Sequence, residues 1–105
     1  MMDFEFYPPA ENEYLEAVRY YDGERAGLGD YFIRDVEEAI SRICRNPLTW
    51  GKLSPRTRRC LTHNFPYGII YALHDEKVII FAVMDLRRKP GYWKGRLKQW
   101  KQTKK

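Results

Sequence analysis

The chain of 105 residues predicts an α+β fold of order β-α-α-β-β-β with a short C-terminal helix. In that fold a helix hairpin packs on a mainly antiparallel four-stranded sheet. Three observations carry the prediction. Residues 28–44 hold an apolar stripe at helical period. Three β-rich segments follow one another in the second half of the chain. Finally, 12.6 kDa with 44% hydrophobic residues suffices for one core and no more, so residues 1–105 are expected to form a single domain.

The first element is a strand, because DFEFY (3–7) alternates and Pro8-Pro9 then stops it. Proline suits a first helical turn, and Ala10, Tyr14, Ala17, Val18 and Tyr21 continue as one stripe, giving a helix from Ala10 to about Ala26. Gly27 and Gly29 interrupt it. The second helix carries Leu28, Tyr31, Phe32, Asp35, Val36, Ala39, Ile40, Ile43 and Cys44 on one face, with only Asp35 polar. Asp30 near its start and Arg42 and Arg45 near its end suit the helix dipole, and Asn46-Pro47 terminates it.

After the polar loop WGKLSPR come TRRCLTHN (57–64), YGIIYAL (67–73) and KVIIFAVMDL (77–86). Phe65-Pro66 separates the first two, and His74-Asp75-Glu76 is a tight hairpin connection between the last two. The third segment is almost wholly apolar, as expected of a central strand covered on both faces. Pro90 ends the sheet. Trp93, Leu97 and Trp100 then space a short final helix, followed by a KQTKK tail expected to fray.

Charge divides the chain. Residues 1–53 hold 6 Lys/Arg against 11 Asp/Glu, a net of −5, whereas residues 54–105 hold 13 against 3, a net of +10. A basic half in so small a fold is the footprint of an anionic partner, either nucleic acid or an acidic protein segment. No apolar run reaches the ~18 residues of a membrane helix, and the acidic N-terminus is no secretory signal, so a cytoplasmic protein without membrane contact is expected. Cys44 and Cys60 lack metal-ligand spacing and are read as buried small residues. No metal and no cofactor are expected.

Chemistry-bearing residues gather at two places. Arg58 and Arg59 alternate on a strand and so point to opposite faces; Arg87, Arg88 and Lys89 follow the last strand and lead into Tyr92, Trp93 and Arg96. Guanidinium groups hold phosphate or carboxylate oxygens through paired hydrogen bonds, and aromatic faces stack on unpaired bases. A site that activates a ribose 2′-hydroxyl needs a base, an acid and charge stabilisation at the phosphate. His63, Asp85 and Tyr92 are the residues that could titrate, and Arg59 and Arg88 could stabilise charge. The bland readings are a structural histidine, a carboxylate paired with its neighbouring arginine, and aromatic packing anchors.

With these motifs laid out, the chain resembles the RelE/ParE superfamily of type II toxin–antitoxin toxins. The resemblance rests on the aromatic first strand, on Ala10, Tyr14 and Ala17, on GLGDYF, on the closing Asn-Pro, on RRCLTHNFPYGIIY and on AVMDLRRKPGYWKGR. It implies a small growth-inhibiting toxin neutralised by a cognate antitoxin, with which it forms a hetero-oligomer, in a module that can serve plasmid stabilisation. RelE-like members cleave mRNA on the ribosome and ParE-like members inhibit DNA gyrase. RelE-like toxins carry an arginine where this chain has Gly68, a second basic residue where it has Leu61 and, among close relatives of this sequence type, often a histidine where it has Asp85. The ParE-like reading is therefore favoured. A nuclease would use Arg59, Arg88 and Tyr92 as catalytic residues. Binding of target or antitoxin would use Arg58, Arg59, Arg87, Arg88, Lys89, Tyr92, Trp93 and Arg96. A third reading is an inactive member that only binds an antitoxin or nucleic acid.

Overall fold

A nine-residue apolar strand runs through the sheet and organises everything around it. The structure, a computed structural model, describes residues 1–103. Its elements are β1 (Asp3–Phe6), α1 (Pro8–Glu24), α2 (Leu28–Arg45), β2 (Gly51–Lys52), β3 (Arg58–Leu61), β4 (Tyr67–His74), β5 (Lys77–Asp85) and α3 (Lys94–Thr103). The sheet order is β1-β5-β4-β3-β2. The sheet thus has five strands where four are expected, because Gly51 and Lys52 of the supposed loop pair with Arg59 and Arg58. It is also mixed: β1 comes first, the chain re-enters at β2 after the helix hairpin, meanders back through three antiparallel pairings, and lays β5 parallel to β1.

The α1–α2 hairpin covers one face. Ala10, Ala17 and Tyr21 of α1 and Phe32, Val36, Ala39, Ile40 and Ile43 of α2 pack on Ile69, Tyr71, Val78 and Ile80. Phe32 meets Tyr21, Phe65 and Tyr67 with ring centroids 4.8–5.2 Å apart. Burying such a ring contributes roughly 2–3 kcal/mol by area alone. Tyr31, expected on the stripe, is instead 59% exposed, with the Arg34 guanidinium over its ring. Its position flanks the Phe32 row that meets the sheet, so the ring turns outward.

The opposite face is covered too. Trp93 packs on Ile70, Ala82 and Met84, and Trp100 of α3 packs on Ala72, Ile79 and Phe81. This explains why seven consecutive residues of β5 are buried. A β-bulge makes the arrangement possible: Ile70 pairs with Ala82 and Tyr71 with Ile80, so Phe81 is the extra residue. Ile80 and Val83 consequently both face the hairpin, while Phe81 and Ala82 both face the other side, Phe81 against Trp100 of α3 and Ala82 against Trp93 just before it. Of the KQTKK tail, residues 101–103 continue α3 rather than fraying, and residues 104–105 lie outside the described residues.

The loop joining β4 to β5 is only Asp75-Glu76, both with positive φ (50° and 59°), since His74 already pairs with Lys77. The β3–β4 turn is held differently. Asp35, buried in α2, accepts the backbone N–H of Asn64 and Phe65 at 2.9 Å each and of His63 at 3.2 Å. The one polar residue on the helix stripe therefore satisfies a turn that cannot satisfy itself. Asp35→Ala would strand these amides and is expected to destabilise the fold by about 3 kcal/mol in urea denaturation, with Asp35→Asn intermediate. The exposed Glu37→Ala should change stability by less than about 0.5 kcal/mol; equal effects at the two positions would refute the clamp.

Candidate functional site

β1 leaves the sheet early. Tyr7 donates its N–H to the Ile80 carbonyl at 2.9 Å, and Pro8 then begins α1. From Phe81 onward no strand among the described residues lies beside that edge of β5. Two side chains take over. Glu13 of α1 accepts the Val83 N–H at 3.0 Å, and Arg96 of α3 donates to the Phe81 carbonyl at 2.9 Å. The bulge and the strand edge are thus completed by one carboxylate and one guanidinium.

These two groups also bind each other and draw in their neighbours. Arg96 forks onto Glu13 through both terminal nitrogens at 2.9 and 3.0 Å. The Tyr92 phenol donates to Glu13 Oε2 at 2.5 Å, and Arg88 Nη1 stands 3.7 Å from the same oxygen. The Arg88 and Arg96 guanidinium carbons lie 4.2 and 5.1 Å from the Tyr92 ring centroid. Glu13 and Arg96 are sunk, at 13% and 18% side-chain exposure, whereas Arg88 is 56% exposed. Burial, and next the bond to Glu13, pushes the Tyr92 phenol well above its ordinary range.

Just beyond, Asp85 closes the end of β5. Arg87 donates to it through Nε at 2.9 Å, Nη2 at 2.8 Å and its backbone N–H at 2.9 Å. The Arg87 fork holds the Asp85 carboxyl below its usual value, so this carboxylate is an ion-pair partner before it is a proton acceptor. Lys89 is exposed in the following turn. A shallow cleft of about 240 Å³ opens here, lined by Glu13, Glu16, Asp85, Tyr20, Tyr67 and Arg88 among others. Three carboxylates to one guanidinium make a poor receptacle for phosphate.

The structure therefore gathers Arg88, Tyr92 and Arg96 on Glu13, with Arg87 on Asp85 beside them. It does not bring Arg58, Arg59 or Trp93 to that cluster. Trp93 is 4% exposed and occupied in packing on the sheet. Arg58 donates to the Trp50 carbonyl at 2.8 Å. Arg59 lies on β3, two strands from β5, and lines another cleft with Arg42, Lys52 and His63. Its stem crosses Gly68: a Cβ there would stand 2.9 Å from Arg59 Cδ and 3.1 Å from Cγ. A side chain at position 68 would have to displace that stem, so the glycine and the course of Arg59 belong together.

His63 is 62% exposed with Nδ1 3.5 Å from Glu38. Burial raises both cysteine thiols above their ordinary range, Cys60 despite Arg42 beside it. Among the described residues no group of three His, Cys, Asp or Glu side chains is placed to hold a metal ion. No helix there is long and apolar enough to cross a membrane. Glu13 escaped the sequence reading. Its signal was its place on the α1 stripe, three residues after Ala10 and four before Ala17, where a carboxylate must find partners.

Comparisons with known proteins bear on the family and the fold. The family model described as the ParE toxin of the type II toxin–antitoxin system, parDE, matches residues 4–90. That span contains Glu13, Arg59, Asp85 and Arg88 and ends before Tyr92, Trp93 and Arg96. No curated protein matches. A solved chain of the chromosomal ParDE toxin–antitoxin system from P. aeruginosa superposes with a TM-score of 0.61 at 10% identity, over 82% of this chain and 97% of that one. At that identity the likeness is one of fold.

Tyr92 is one of several phenols held neutral. Burial raises Tyr14 and Tyr71 to about 12 and lifts Tyr67 further. Above pH 10 the unfolded chain loses these protons while the folded chain keeps them. Stability should therefore be complete below pH 10 and fall as pH rises, by at most about 1.4 kcal/mol per pH unit for each phenol. Tyr92→Phe should shrink the difference between urea midpoints at pH 9 and pH 11. An unchanged difference would mean that the Tyr92 proton is not held by the fold.

Proposed function

Because the chain belongs to the ParE toxin family of type II toxin–antitoxin systems, we propose that it arrests growth by binding an essential target, DNA gyrase, and that a cognate antitoxin neutralises it. On this reading it works in the cytoplasm as a single domain, in a hetero-oligomer with the antitoxin, and helps retain the element that encodes it. Its recognition edge is the exposed Arg87-Arg88-Lys89 segment together with Tyr92 and Arg96. Trp93 supports that edge from below, and Arg58 and Arg59 lie at the far side of the sheet.

One observation carries the choice of binding over cleavage: Glu13 engages the Tyr92 phenol, Arg96 and Arg88 at once. RNA cleavage needs a group that takes a proton and cations free to meet the developing charge on phosphorus. Here the phenol is held protonated, and one carboxylate already engages both guanidiniums nearest to it. Arg59, the third member of a nuclease set, stands on β3. The ribosome-dependent endoribonuclease keeps one point in its favour, the stacking of Arg88 on the Tyr92 ring at 4.2 Å. It would require a substrate phosphate to displace Glu13.

Expression without antitoxin, read by primer extension on mRNA and by supercoiling with purified gyrase, separates the readings. The expected result is growth arrest, intact mRNA and blocked supercoiling. Codon-phased cuts with normal supercoiling would replace this reading with the endoribonuclease. Normal growth with folded protein would leave a binding module without toxicity. Arg87→Glu combined with Arg88→Glu is expected to weaken gyrase or antitoxin binding at least tenfold at low salt, less at high salt, with the fold retained by circular dichroism. Affinity unchanged across the salt series would make the segment ordinary surface.

A further inference from the structure

The surplus of positive charge in the second half of the chain has a second outlet, at the opposite end of the β4–β5 hairpin. Arg88 and Glu13 lie beside the Asp85 end. A groove of about 390 Å³ lies at the His74 end, between α3 and the β2–β3 segment. Seven residue steps along β4 separate the two ends, roughly 23 Å. Lys52, Arg56, Arg58 and Lys101 stand around this groove, and no Asp or Glu among the described residues lines it. None of these four cations has an ion pair with a described residue, and the one bond of Arg58, to the Trp50 carbonyl, leaves most of its fork free. Between the cations the lining is mostly apolar: Leu48, 67% exposed, and Leu73, 39% exposed, line the groove together with the half-buried Leu97.

We propose that this groove docks an acidic segment of a partner protein, anchored by apolar side chains between its carboxylates. Carboxylates would bind the cations through charge-assisted hydrogen bonds, and leucine-sized side chains would cover Leu48 and Leu97. Nucleic acid fits less well, because single strands need aromatic faces to stack on. Trp100 is 6% exposed, with His74 edge-on at 4.6 Å and Phe81 at 5.5 Å, and Tyr71 is fully buried with its hydroxyl on the Pro47 carbonyl. Of the described rings that line the groove only the His74 imidazole is open, 46% exposed with Nε2 3.2 Å from the Asp75 carboxylate, and one small ring beside an anion is a poor stacking platform. The groove goes beyond the toxin reading and does not depend on it, since it shares neither Glu13 nor Arg88 with the edge described above.

The test uses the full chain and a panel of 16-residue peptides with Leu or Phe at every third or fourth position and Asp or Glu between. Lysine-substituted counterparts and a dT12 oligonucleotide serve as comparisons. Backbone amide NMR shifts of Arg56, Arg58 and Leu97 and Trp fluorescence report occupancy. The expected result is binding of acidic peptides at the groove, at least tenfold tighter than of basic ones. Arg56→Glu with Lys101→Glu should weaken it at least tenfold, while Arg87→Glu with Arg88→Glu leaves it within twofold. Saturation by dT12 in preference to every peptide would overturn the proposal in favour of nucleic acid. Concentration-dependent shifts without any peptide would overturn it in favour of a second copy of this chain. Absence of groove shifts with all acidic peptides would overturn it outright. Binding is read on purified protein, so its failure is distinct from a failure to arrest growth.

Discussion

Glu13 is the constraint on which this fold's second face depends. A carboxylate on the buried stripe of a helix must be paired, and here the partners come from three separate places in the chain. The Val83 amide completes the strand edge left bare when β1 turns away. Arg96 fixes the start of α3, and through its bond to the Phe81 carbonyl it ties that helix to the bulge. Tyr92 seats the turn that precedes α3. Removing one member leaves the others with buried, unmatched polar groups, which costs more than the pair itself contributes. The cluster therefore specifies where α3 lies more than it adds to stability.

Asp35 does the corresponding work on the other helix. Both carboxylates interrupt apolar stripes, and both accept backbone amides that the sheet leaves unpaired, Asp35 at the β3–β4 turn and Glu13 at the β5 edge. In each case the helix hairpin reaches across with a charged acceptor where hydrogen bonding by strands runs out. The hairpin is thus bolted to the sheet at two polar points, with the aromatic group of Tyr21, Phe32, Phe65 and Tyr67 packed between α1, α2 and the sheet.

Elements with a repeating pattern were legible in the sequence. The α2 stripe, the apolar run of β5 and the Trp93-Leu97-Trp100 spacing each need only local periodicity, and they formed as expected except that Tyr31 turns outward and Trp93 lies just before α3. What lay outside reach depends on contacts between distant residues. Gly51 and Lys52 become a strand only because Arg58 and Arg59 present a free edge, and a two-residue strand has no period to read. The parallel β1–β5 pairing follows from the path of the whole chain. At the site, Arg88, Tyr92 and Arg96 were recognisable as a group from their closeness in sequence. Glu13, 79 residues before Tyr92, was not, and it decides what the others can do. Asp35 shows the same signal, a carboxylate where the stripe calls for an apolar side chain.

The division of charge along the chain acquires a different meaning once folded. Part of it is internal: acidic residues of the first half meet cations of the second at Glu5–Lys77, Glu13–Arg96 and Glu13–Arg88. The most conspicuous cationic run, residues 87–96, is thereby partly neutralised, since Arg87 is taken by Asp85, and Arg88 and Arg96 share Glu13, while Lys89 and Lys94 pair with no described carboxylate. A further set of cations that meet no described carboxylate surrounds the groove, in the less conspicuous Lys52, Arg56 and Arg58 and in Lys101 on α3. A run of like charge in sequence is a poor guide to field strength at the surface, because the same run is the best target for the chain's own acids. Long-range attraction of an anionic partner should follow the unpaired set, and a partner that engages the paired edge must compete with Glu13 and Asp85 for each guanidinium it takes.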